Sequence, residues 1–125
     1  MPADFDQWLA AQFTETGPFT VFIILLRIAG EDVVPLRSSY AHMIGTDLSW
    51  TEMRTLLDRA GAPWNGVAFF VGLDHTGGPL PDDAAAHTLK RVEADVRDDR
   101  LALNRGLLVD REGRQLRIDE VRDDG

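Results

Sequence analysis

The chain has 125 residues, 44% of them hydrophobic, with 13 basic and 21 acidic side chains and a formal net charge of −8. That length suits one domain spanning residues 1–125, with enough apolar material for a core. The lack of cysteine excludes disulfides, thiolate nucleophiles and thiolate metal sites, and the acidic balance argues against a non-specific grip on nucleic acid or anionic membrane.

The charge is uneven. Residues 1–89 hold 4 basic and 11 acidic side chains, whereas residues 90–125 hold 9 and 10. The last third is thus dense in charge but nearly balanced, as expected for a solvated helix face and an exposed hairpin. The N-terminus is acidic and lacks the basic and apolar regions of a signal peptide. No apolar run reaches the length of a membrane helix, so the expected location is the cytoplasm. Preference for Arg over Lys, with abundant Asp, suggests a GC-rich bacterial source.

In chain order, Asp4 to about Thr14 reads as a helix, with Phe5, Trp8, Leu9 and Phe13 on one face and Asp4 as its cap. Thr16-Gly17-Pro18 stops it. Phe19 to Ile28 follows, an apolar run without alternation, which reads as a central strand covered on both faces. Val33, Val34 and Leu36 suggest a returning strand, with Pro35 placing it at an edge or in a bulge. Ser38 to Thr46 has no clear period and reads as a loop. Trp50 to Ala60 is the clearest helix, with Ser49 and Glu52 as a capping box and Trp50, Met53, Leu56, Leu57 and Ala60 as its stripe.

Trp64-Asn65-Gly66 reads as a turn with Trp64 exposed, and Val67 to Leu73 as a second buried strand. A Gly- and Pro-rich loop, residues 74–81, leads into a helix from Asp82 or Asp83 to about Asp98, on which Glu93 and Arg97 have the spacing of an ion pair. Leu107–Asp110 and Gln115–Val121 are the arms of a hairpin whose turn uses Gly113. The order α-β-β-α-β-α-β-β predicts an α+β two-layer sandwich, with a mixed sheet of about five strands and helices mainly on one face.

No chemical motif stands out. The best-placed polar cluster is Asp74-His75-Thr76-Gly77-Gly78, after a buried strand and before a helix, where ligands gather in open sheets. Tyr40 and His42, with Ser38 and Ser39, are candidates to join it as a small-molecule pocket. The plain alternative is a chain reversal with Asp74, His75 and Thr76 solvated. A metal site from Asp74, His75, Asp83 and His87 matches no ligand signature, and Asp83 reads better as a helix cap, so neither metal nor cofactor is expected. The Arg-rich end has no aromatic residue to stack on bases.

Two functions of different class remain. One is a non-catalytic protein-interaction or regulatory module, whose partner would be a protein, basic where it meets the acidic surface, or a second copy in a homodimer. The other is a small-molecule-binding domain or minor enzyme centred on the Asp74–Gly78 loop. The first is preferred, because no reactive constellation is legible.

Overall fold

A computed structural model describes residues 3–30 and 32–118. Three α-helices, α1 (Asp4–Thr16), α2 (Trp50–Asp58) and α3 (Asp82–Asp98), accompany four strands, β1 (Phe19–Ala29), β2 (Asp32–Met43), β3 (Gly66–Gly72) and β4 (Leu107–Asp110). A 3-10 helix, Arg100–Arg105, leads into β4. The chain is an α+β protein with a single sheet, as expected. The sheet order is β2-β1-β3-β4.

The strand count and the pairing differ from expectation. All three pairings are antiparallel rather than mixed. The connection through α2 does join two strands of the same direction, but β1 lies between them, so no parallel pair is hydrogen-bonded. Four strands are seen among the described residues, not five. The second arm of the expected hairpin holds β4 only at its start, where Gln115 bridges Val109 and Leu116 N donates to Leu108 O at 2.7 Å. Asn104 then takes over: its side chain accepts from Ile118 N at 2.8 Å and donates to Ile118 O at 2.6 Å. The rest of that arm, residues 119–121, lies outside the described residues.

Strand β1 is the axis of the molecule. Phe19 to Leu26 is buried without a break, because side chains alternate between two covered faces. Phe19, Val21, Ile23 and Leu25 face α1 and α2, meeting Phe5, Leu9, Trp50, Met53, Leu57, Trp64 and Phe69. Ile24 and Leu26 face α3 and the 3-10 helix, meeting Ala68, Val96, Ala102, Leu103 and Leu108. Each fully buried side chain of this kind contributes about 1.5–3 kcal/mol. Two of the three α-helices therefore share one face, and α3 covers the other.

Local signals explain the helices. The side chain of Ser49 accepts from Glu52 N at 3.3 Å, and the Glu52 carboxylate accepts from Ser49 N at 3.4 Å, so the expected capping box opens α2. Leu56 departs from the predicted stripe and is 47% exposed. At α1 the cap position is Ala3, not Asp4, and the Asp6 carboxylate closes the first turn onto Ala3 N at 3.1 Å. Asp4 and Asp6 are used across the fold instead, accepting from Gln115 N at 2.7 Å and from Trp50 N at 2.8 Å. Gly17, at φ 70°, ends α1 with its N–H on Phe13 O.

Trp64 is not exposed, as its place in a turn suggested, but 3% accessible. Its indole N–H donates to Asp58 at 3.0 Å, and the Arg111 guanidinium lies 4.3 Å from a ring centroid while bonding both Asp58 oxygens at 3.1 and 3.2 Å. A residue 47 positions away thus makes the lid that buries it.

Candidate functional site

Strand β2 runs on to Met43, through the stretch whose lack of period suggested a loop. It is held by its backbone to β1 and is the outer edge of the sheet. Pro35 sits where its missing N–H does no harm, at that edge and at a bulge: Leu25 pairs with Arg37 and Leu26 with Pro35, leaving Leu36 extra.

The direction of each backbone group follows from the register. Leu26 O accepts from Asn65 N, and Ile28 N and O bond the Asn65 side chain, so even-numbered residues of β1 face β3. Odd-numbered residues then face β2, and their partners Arg37, Ser39 and Ala41 are satisfied by β1. Ser38, Tyr40 and His42 lie between them and point their N–H and C=O groups outward. Among the described residues nothing pairs with these groups. The run from Ser38 to Met43 carries no acidic or Arg/Lys side chain, so the edge lacks the charges that usually protect one.

A second, shorter edge lies at β3. Strand β4 pairs with it only from Gly66 to Phe69. Beyond that point a cleft of about 750 Å³ opens, walled by Trp8 and Gln12 of α1, Thr88 and Val92 of α3, and Phe70 and Arg105. The bond from Leu116 N to Leu108 O fixes Leu107 and Val109 as the β4 residues facing β3. By the same alternation only Val71 directs backbone groups into this cleft.

Of the residues expected to form a pocket, the structure brings Tyr40 and His42 together, with ring centroids 5.8 Å apart. His42 Nδ1 lies 2.9 Å from Thr20 Oγ1, and His42 Nε2 lies 3.0 Å from an Asp82 carboxylate oxygen. Thr20 Oγ1 also accepts from Leu80 N at 2.8 Å. A hydroxyl, an imidazole and a carboxylate in sequence resemble an activated nucleophile. Yet Thr20 has 0% exposure, so no substrate reaches its oxygen. The chain of bonds instead fastens the loop before α3 and the first turn of α3 onto β1 and β2. A threonine inside the apolar run FTVFIILL was its one sequence signal.

Asp74, His75 and Thr76 form a separate group closed on itself. Thr76 Oγ1 donates to the Asp74 carboxylate at 2.5 Å, Asp74 N donates to Gly78 O at 3.0 Å, and Gly77 N donates to Asp74 O at 2.8 Å. The Thr76 hydroxyl is the main cause that lowers the Asp74 pKa below its ordinary value, with the neighbouring His75 adding to it. The His75 side chain is 89% exposed, and its Nδ1 is 3.4 Å from Asp74. These three residues line neither the β3 cleft nor the smaller clefts near the β2 bulge, between α1 and α2, and beside His42. Asp83 accepts from Ala84 N at 2.9 Å. Among the described residues no three His, Asp or Glu side chains converge as a metal site would require.

No described helix is long and apolar enough to cross a membrane. No family model, curated protein or solved structure matches the chain.

Proposed function

We propose that this chain is a non-catalytic interaction module that takes an extended segment of a protein partner onto the outer edge of β2. The observation that carries the reading is the outward N–H and C=O groups of Ser38, Tyr40 and His42 within a stretch free of acidic, Arg and Lys side chains. Strand addition satisfies such groups with main-chain bonds, each worth about 0.5–1.5 kcal/mol net. The net charge of −8 favours a partner segment flanked by basic residues and speeds their encounter. The composition fits action in a bacterial cytoplasm. The mutual bonding of Asp74, Thr76 and Gly78 supports this reading over a ligand pocket in that loop.

A second copy of the chain meets the same structural requirement, pairing β2 with β2 about a two-fold axis. Sedimentation of the purified chain separates that case from a different partner. For a different partner, the protein recovered with the chain is purified and titrated against a Ser38→Pro/Tyr40→Pro variant. That variant removes two outward N–H groups and no bond to β1. The expected result is loss of binding or of dimerisation with a cooperative melting transition retained, at a lower temperature because the Ser38 and Tyr40 hydroxyl bonds to α3 are lost too. Unchanged affinity in the folded variant overturns the proposal, as does a monomer for which no reproducible partner is recovered.

A further inference from the structure

We infer that the cleft beside the end of β3 takes the C-terminal end of a peptide, an apolar last residue with its free carboxylate. The cleft is the place that a longer β4 would fill. Leu107 pairs with Phe69, so Val71 faces the position that residue 105 would take if β4 began earlier. The chain instead leaves that line, and residues up to Arg105 form the 3-10 helix. A gap of about 750 Å³ lies between α1 and α3, with the N–H and C=O of Val71 directed into it.

The gap is closed at one end. Gly106 lies so tightly against β3 that a Cβ there would collide with Phe69 O and fall 2.9 Å from the Phe70 ring. No chain can run through, so an occupant has to end there. Every pairing in the sheet is antiparallel. A segment in line with β4, and antiparallel to β3, reaches Gly106 with its carboxyl end. Arg105 borders the gap at that point and is exposed. Among the described residues it makes no ion pair or hydrogen bond. Asp4 also borders the gap, but its carboxylate accepts from Gln115 N at 2.7 Å and forms no ion pair with Arg105. The last residue of the occupant then pairs with Val71. Its N–H donates to Val71 O, and its carboxylate accepts from Val71 N and from the guanidinium. A segment inserted the other way round would bring an ammonium group to Arg105.

The side chains follow from the pleat. Val71 shares its face with Phe69, on the α1 side, and Phe70 packs on the α3 side. The last side chain of the occupant therefore lies on the α1 side, beside Val71 and Trp8. The one before it turns to the α3 side, where Thr88 and Val92 form the wall. Val71 is 36% exposed, and an apolar last side chain covers it. Strands β2 and β4 form opposite edges of the sheet, so this site goes beyond strand docking at β2, and either stands without the other.

The test is an amide-resolved NMR titration of the full chain with three probes at constant ionic strength. They are acetyl-Thr-Val-Leu with a free carboxylate, the same peptide as its C-terminal amide, and free leucine. Saturable shifts centred on Val71, Arg105 and Gly106 are expected with the free-carboxylate peptide. The amide is expected to bind about tenfold more weakly. The Arg105→Gln variant is expected to weaken the free-carboxylate peptide by a similar factor, with its melting transition unchanged because the Arg105 side chain is exposed. No saturable shift at millimolar peptide, or shifts that map elsewhere, overturn the site, as does a folded Arg105→Gln variant that binds as before. An amide that binds as well as the acid overturns the assignment to a chain terminus. Free leucine that binds as tightly as the peptide overturns the assignment to peptides.

Discussion

The two faces of the sheet are built from different materials. Against α1 and α2 the core is aromatic, with Phe5, Phe19, Trp50, Trp64 and Phe69 buried and Trp8 packed beside them. Against α3 and the 3-10 helix the buried cluster is aliphatic and smaller, made of Ile24, Leu26, Ala68, Val96, Ala102, Leu103 and Leu108. Aromatic rings interlock at defined tilts and are costly to displace, as with Phe69, whose centroid lies 5.1, 5.9 and 6.5 Å from those of Phe5, Trp8 and Trp50. The aliphatic face holds α3 with fewer large anchors and adds polar links at its margin, from His42 to Asp82 and from Ser38 to Glu93. Stability thus concentrates on one face, and the other depends more on links at its margin.

That contrast can be broken by substitution. Phe69→Ala, at 0% exposure and in contact with three aromatic rings, is expected to cost about 3–5 kcal/mol in urea unfolding. Leu103→Ala, also at 0% exposure but on the aliphatic side, is expected to cost about 2–3 kcal/mol. Equal costs would remove the distinction between the faces. Trp64→Phe keeps most of the ring but loses the bond to Asp58 and weakens the stack under Arg111, for an expected loss of about 1 kcal/mol by the same measurement.

The smallest effect belongs to the loop at the sheet end. Thr76→Val is expected to raise the Asp74 pKa toward its ordinary value, read from the carboxyl carbon in an NMR titration. The sign follows from linkage. A carboxyl with a depressed folded-state pKa adds stability above its unfolded value and loses it as pH falls through the folded one. Native chain and variant should therefore differ most near neutral pH and converge in acid. Asp74 is at the surface and half-buried, so the difference in stability is slight and the titration is the readout.

What could be read in advance follows the same physics. Strand β1 and the first half of β3 announced themselves because burial on both faces demands an unbroken apolar run, though Val71 and Leu73 beyond it are exposed, and α2 because its cap and stripe are local. The outer half of β2 did not. Ser38 to Met43 is an edge that draws its order from backbone bonds to β1, which leave little trace in side-chain type. The burial of Trp64 is hidden for a related reason: what covers it, Arg111, lies 47 positions further on. The partner of Glu93 was hidden too, since it reaches across to Ser38 and not along its own helix to Arg97.

One junction has a consequence for how the molecule is made. Helix α1 is bonded to the turn after β4, with Phe5 N on Gly113 O at 3.2 Å and Gln115 N on the Asp4 carboxylate. At Gly113, φ is 76° and an added Cβ would fall 2.7 Å from Trp50 and 2.8 Å from Ala3, so no side chain fits between them. A helix is therefore anchored by a segment made 111 positions after it. During synthesis α1 waits with its aromatic stripe partly uncovered, and until residue 115 has emerged it is a ready target for chaperones.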